Sequence, residues 1–303
     1  MVYGQILNFG SENLSNLDTI LLLGAINTCH LDSNGFDRII IPIFERINHA
    51  NNGSKYNIKI SFFAGDTPAS QSLGGFIEAV GNARFPCREC FIEKKELLIA
   101  KSENDCQMRE YEQTKEQSLE GIAGKGIKRR TELYNYSFFN VLTSTPQDPM
   151  HIVLEGVARR LVIDFFKVWL DLKRVDLREL NSVLKNFKYG ALHKADKIKI
   201  KLKEHDMYKK DLIISASQMK NLLLLFPLIF HDIVDLRSND YKLLNCLRKI
   251  TMIAFDYSPT NTMIDSLEIY IKALIILWEK YYGIESGFPK IHYLVHLPKW
   301  IRK

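Results

Sequence analysis

Two pairs of residues sit at spacings that suit metal chemistry. Cys87 and Cys90 form a C-x-x-C in "RFPCRECFIEKK", and His292 and His296 stand four apart in "FPKIHYLVHLPKW". Thiolate sulfur and imidazole nitrogen are the usual donors of a four-coordinate zinc ion, and two cysteines alone leave half of its positions unfilled. Residues i and i+4 share one face of a helix, so both imidazoles can turn toward one ion. The four together would make a closed site of two cysteines and two histidines. No position is left for water, so such a site is structural. The two pairs lie about two hundred residues apart, unlike the compact spacing of a zinc finger. An ion held this way would staple the base of a long insertion to the element the chain left. The alternatives are two ordinary buried cysteines and two histidines on an amphipathic surface.

Carboxylates form the second set. In "KYNIKISFFAGD" the residues Tyr56, Ile58, Ile60 and Phe62 alternate, which predicts a strand ending in a turn at Gly65 and Asp66. A carboxylate at a strand tip, beside the small residues of "TPASQSLGGF", has the placement used in two-metal sites. An Asx-turn is the alternative. In "STPQDPMHIVLEGV", Asp148 reads as the cap of a helix that carries His151 and Glu155 one turn apart. The remaining candidates are weaker. Cys29 and His30 read as core, Cys106 as a free surface thiol, and Cys246 as a residue on an apolar helix face. His193 and His205 flank "KADKIKIKLKEH", a solvated basic strip within reach of DNA phosphates.

These residues need elements to position them. "TILLLGAINTCHL" and "DRIIIPIFERINHA" read as apolar helical segments. A short helix is expected between "LGGF" and the C-x-x-C. The charged stretch from residue 96 to 130 reads as a solvated helix followed by a loop. Beyond residue 150 the apolar residues recur at helical spacing. Asp176, Ser215 or Ser217, and Gly283 are helix-end signals, and Pro227 is a predicted kink. The expected domains are 1–95 with the C-x-x-C, a charged linker 96–145, a helical insertion 146–288 and a return segment 289–303 with the histidines.

Bulk composition sets the class. A hydrophobic fraction of 46% and a charged fraction of 25% are those of a globular chain. A net charge of +6 and a pI of about 8.9 permit nucleic-acid binding without requiring it. Five scattered cysteines fit a reducing compartment. No signal peptide is read in "MVYGQILNFGSENLSN". The run "NLLLLFPLIFHDIVDL" is interrupted by Pro227 and His231 and falls short of a membrane span.

The motifs occur in a recognisable order: "GD" after an alternating strand, "LGGF", "CRxC", "DxMHxxLEGV", "SASQM…LLLLFPLIFHD" and "PKxHxLVHLP". This set, from about residue 30 onward, resembles the CACTA (En/Spm-like) group of DDE transposases, and more widely the V(D)J recombinase core. The resemblance implies an α/β fold, with an RNase H-like (retroviral integrase-like) core interrupted by a large all-α insertion, mostly helical overall and bracketed by a structural zinc ion. It implies an enzyme in which three carboxylates hold two Mg²⁺ ions for phosphodiester cleavage and strand transfer. Asp66 matches the second acid, and Asp148 and His151 match a D-x-x-H motif. For the first acid only Glu12 and Asp18 are on offer, and neither ends a convincing strand. The third should be a glutamate beyond His296, and the chain ends at Lys303; Glu155 is a substitute in the wrong place. With one triad acid of three, no strand-transfer activity and no productively bound Mg²⁺ are expected. A truncated, decayed or domesticated transposase is the expected origin, and a non-enzymatic zinc-stabilised DNA-binding or scaffold protein the alternative. DNA, by resemblance transposon ends, is the expected partner. A homo-oligomer is compatible with this reading, a membrane is not, and the expected location is nuclear.

Overall fold

The computed structural model describes residues 2–5, 20–24, 37–53, 57–120, 125–209 and 212–302. The chain divides into two compact units. Residues 1–83 and 108–146 make the first; residues 84–107 and 147–303 make the second. The C-x-x-C therefore groups with the helical part of the chain, not with the early segment.

An RNase H-like α/β core is not present among the described residues. The one sheet among the described residues is an antiparallel pair of short strands, β1 (Val2–Gln5) and β2 (Ile20–Gly24). β2 lies where "TILLLGAINTCHL" predicted helix, because a short apolar run carries no period that separates the two. The predicted strand through Tyr56–Phe62 is also overturned: residues 57–66 form no strand. Their backbone groups find other partners. Ile58 N–H donates to Asn51 Oδ1 (2.7 Å) and Asn51 Nδ2 donates back to the Ile58 carbonyl (3.0 Å). Phe63 N–H donates to the Ser144 carbonyl (2.7 Å). An alternating pattern becomes a strand only when a neighbouring strand supplies the ladder, and here one side-chain amide stands in for it. Glu12, Asp18, Cys29 and His30 lie outside the described residues.

The first unit is built around α1 (Asp37–Gly53). Ile40 and Phe44 share one face at i, i+4 and are buried. Phe44 meets Tyr136, Phe138 and Phe139 at centroid distances of 5.3, 5.3 and 5.1 Å. The core continues through Leu73, Phe76, Ile127, Leu133 and Val141. α2 (Thr67–Leu73) falls on "TPASQSL", earlier than the helix expected after "LGGF". Gly75 follows at φ +73°, and a side chain there would meet the Arg129 carbonyl at 2.5 Å. That close approach lets Lys128 N–H reach the Gly75 carbonyl (2.8 Å). Arg129 grips Asp37, in the first turn of α1, through both carboxylate oxygens (2.6 and 3.0 Å). α3 (Tyr111–Glu120) and the short α4 (Val141–Ser144) complete the unit.

The second unit is helical, as its periodicity predicts. A π-helix at Met150–Ala158 runs into α5 (Arg159–Asp171). There follow α6 (Leu177–Asn186), α7 (Glu204–Lys209), α8 (Ala216–Ile229), α9 (Asn239–Ala254) and α10 (Asn261–Tyr282). The expected caps form: Asp176 accepts from Glu179 N–H (2.8 Å). Ser215, not Ser217, makes a capping box with Gln218. Gly283 ends α10 at φ +79°. Trp169 packs against Phe165, Phe226 and Phe230 at 5.6, 5.7 and 5.3 Å. Pro227 lies inside α8 and cannot donate to the Leu223 carbonyl one turn back. Arg248 on α9 fills that gap, donating to the carbonyls of Leu223 (3.0 Å) and Leu224 (3.0 Å).

Residues 84–107 contain no α-helix; of the helix expected in the charged stretch 96–130, only α3 forms. Two 3-10 turns, Lys94–Glu96 and Glu103–Asp105, flank the buried Leu97, Leu98 and Ala100. Among the described residues, no helix is long and apolar enough to cross a membrane.

Candidate metal centre

The two cysteines and two histidines meet in the second unit. Cys87 and Cys90 lie on a loop fixed at both ends. The Tyr293 hydroxyl donates to the Pro86 carbonyl (2.7 Å), and Phe91 N–H donates to the Gln107 carbonyl (2.9 Å). Glu89 N–H turns inward to Cys87 Sγ (3.3 Å). His292 is on α11 (Pro289–Tyr293), which starts on a proline suited to a first helical turn. His296 ends a 3-10 turn, Leu294–His296, that leads into α12 (Leu297–Arg302). The two imidazoles are therefore not on one continuous α-helix. Their rings are 5.2 Å apart and nearly perpendicular, at 85°.

The donor atoms are Cys87 Sγ, Cys90 Sγ and the two histidine Nε2 atoms. Cys90 Sγ is 3.2 Å from His292 Nε2, and Cys87 Sγ is 3.5 Å from His296 Nε2. All four donors lie within 4.8 Å of one another. A tetrahedral zinc ion with Zn–S of about 2.3 Å and Zn–N of about 2.0 Å sets each S···N edge at about 3.5 Å. The set fits zinc in chemistry and in size. All four side chains are at most 1% exposed, so an ion held there would be closed to water, as in structural rather than catalytic sites.

Neighbouring side chains orient these donors. His296 Nδ1 meets Glu103 Oε1 at 3.1 Å, an arrangement that directs Nε2 at the ion. Lys299 Nζ neutralises both nearby acids, 3.2 Å from Glu103 and 3.5 Å from Glu89. Glu89, buried between the cysteines, accepts from Trp300 Nε1 through both oxygens (3.1 and 3.0 Å). Cys106, expected as a free surface thiol, is half-buried beside Cys90 and directs its Sγ to the Ser102 carbonyl (3.6 Å).

The electrostatics divide the four donors: Cys87 and His292 lose their protons readily, while Cys90 and His296 hold theirs until a metal displaces them. Hydrogen bonding with Cys106 and Cys87, reinforced by burial, pushes the Cys90 thiol far up. Burial acts the same way on Cys87, but the Cys90 hydrogen bond and the charge of His296 outweigh it and hold that thiol well below its usual range. Burial lowers His292. It acts to lower His296 as well, but is outweighed by Glu89, Cys87 and Glu103, which raise it well above the usual imidazole range. Metal binding would replace the protons on Cys90 and His296.

The sequence alone does not point to Glu89, Glu103, Lys299 or Trp300 as supports of the four donors. Glu89 lies inside the C-x-x-C, and Lys299 and Trp300 follow the second histidine in "HLPKW", so adjacency to the ligands was their signal. Glu103 had none, since only folding brings it to His296.

The carboxylates behave differently. Asp66 is exposed in the first unit and caps α2, its Oδ1 accepting from Ala69 N–H (2.8 Å). It is not at a strand tip, and among the described residues it joins no group able to hold an ion. In the second unit Asp148 does cap the π-helix, accepting from Met150 N–H (2.8 Å). Its other oxygen bonds His151 Nδ1. His151 Nε2 lies 3.7 Å from Glu155, and Glu155 lies 3.3 Å from Arg159. These four residues form a half-exposed polar line along one face of the π-helix. Asp148 fixes the imidazole and Arg159 occupies Glu155.

Fold and site together define a mostly helical protein with a buried cluster of two cysteines and two histidines that could hold a metal ion such as zinc. The chain matches no family model, no curated protein and no solved structure. The transposase resemblance thus stands on its motifs.

Proposed function

We propose that this chain is a transposase-derived, zinc-stabilised DNA-binding protein that acts without strand transfer. One observation carries this reading: a closed metal centre whose ligand pairs lie about two hundred residues apart. The motif order pairs such a centre with transposase ancestry, while its chemistry is structural. Asp66, the only triad acid the motifs identify, caps a helix with its carboxylate. A single carboxylate cannot hold a metal pair. The basic balance of the chain favours a nucleic-acid partner, and such a protein would act in the nucleus.

The test is to purify the chain with zinc and assay it on labelled duplex DNA with and without Mg²⁺. Expected are about one zinc per chain, salt-sensitive DNA binding and no cleaved or joined product. A Mg²⁺-dependent product would replace this reading with an active transposase. A zinc-loaded chain that binds no DNA would leave only the scaffold role.

A further inference from the structure

We infer that residues 197–203, "KIKIKLK", form a lysine strap that tracks the phosphate backbone of duplex DNA. The inference rests on the DNA-binding reading above and assigns it a surface. Lys197, Lys199, Lys201 and Lys203 are all exposed, while Ile198 and Leu202 between them are buried and Ile200 is half-buried. In–out alternation at every residue requires an extended backbone. Side chains on one face of an extended chain recur every ~6.7 Å. Phosphates of one DNA strand recur every ~3.4 Å along the axis. Because the strand winds around the axis, the step from one phosphate to the next is longer than that ~3.4 Å rise, and the spacing of successive lysines matches that step.

The strap is held by side chains that act as a partner strand would. Leu202 N–H donates to Asn181 Oδ1 (2.7 Å), and Asn181 Nδ2 donates to the Leu202 carbonyl (3.0 Å). Gln218 Nε2 donates to the Lys197 carbonyl (3.0 Å), Asn221 Nδ2 to the Asp196 carbonyl (3.0 Å), and Ile198 N–H to the Tyr189 hydroxyl (3.3 Å). The backbone is ordered before any ligand arrives, which lowers the entropic cost of binding.

Charge singles out this segment. None of the four ammonium groups has an ion-pair partner among the described residues. Elsewhere Lys101, Lys128 and Lys299 pair with Glu279, Glu78 and Glu103. Residues 185–203 hold seven lysines against one aspartate, a balance of +6 equal to the formal charge of the whole chain. Outside them the chain is neutral, with 34 basic residues (41 less 7) and 34 acidic ones (35 less 1). The outer face of the strap carries only lysines, which suits a polyanion rather than an apolar layer.

The test uses the zinc-loaded full chain and a random-sequence duplex, with binding followed by anisotropy across salt concentrations. A variant carrying Lys→Gln at 197, 199, 201 and 203 should lower the slope of log affinity against log salt by about 3 to 4, near 0.9 for each phosphate no longer neutralised. Lys→Arg at the same four positions should keep the slope. Lys242→Gln with Lys280→Gln, exposed lysines of α9 and α10, should leave it unchanged. Zinc content and helical circular dichroism confirm that each variant is folded. Undiminished salt dependence in the folded Lys→Gln variant would overturn the strap and leave the DNA-binding reading standing. No DNA binding by the unaltered chain would overturn both. Binding to phosphatidylserine vesicles without binding to DNA would also overturn the strap as stated.

Discussion

The two units hold their distant segments together in different ways. In the first, segments around residues 40, 75 and 135 meet through many apolar contacts centred on Phe44. In the second, an aromatic cluster around Trp169 does similar work for the helices. The loop at residues 87–90 instead meets residues 292–296 at four donor atoms that could share one ion. A distributed core loses stability in increments as single side chains are trimmed. A four-donor centre loses its closed coordination when one donor goes. The same contrast separates the two kinds of histidine: His292 and His296 are buried and converge on one point, whereas His151 lies half-exposed between carboxylates.

The largest expected effect is at the centre. Cys90→Ser should abolish stoichiometric zinc binding and cost up to about 10 kcal/mol, the scale of structural zinc sites. Metal analysis and thermal melting read this directly, and unchanged zinc content with an unchanged Tm would remove the metal centre. Next is Phe44→Ala, which should cost about 3–5 kcal/mol through the cavity it leaves. Denaturant titration should register that loss while zinc content stays at the unaltered level; loss of zinc as well would show that the two kinds of closure are not separable. Glu103→Gln keeps the shape but removes the charge facing His296 Nδ1. Zinc affinity in chelator competition should fall about 10- to 100-fold, and no change would exclude Glu103 from orienting the ligand. The smallest effect is Asp66→Ala, which should cost about 1 kcal/mol as a lost cap. Melting with and without Mg²⁺ should give the same difference. A Mg²⁺-dependent difference would restore Asp66 as a metal ligand.

Much of the second unit was legible. Asp176, Ser215 and Gly283 mark helix ends because a cap is a relation among residues three or four apart, and the apolar spacing within helices is equally local. The metal ligands were legible for another reason: cysteine and histidine at tight spacings are chemically distinctive even when their partner pair is remote. Among the described residues the strand expected from Tyr56 to Phe62 and the RNase H-like core were not realised, and the helix expected in the charged stretch forms only as α3. Each was inferred from a pattern whose outcome depends on what packs beside it. The Arg248 guanidinium that serves the carbonyl freed by Pro227 was equally beyond reach, since the two residues are on different helices.

The sequence by itself determined the helix ends, the apolar faces of the helices and the identity of the four candidate donors, because these follow from side-chain chemistry and neighbours within a few positions. Only the tertiary structure decided that the remote pairs converge within 4.8 Å, that Glu103 faces His296 and that an alternating segment remains without a strand partner. Those outcomes depend on which distant groups arrive to complete a coordination shell or a hydrogen-bond ladder, and no local pattern encodes that arrival.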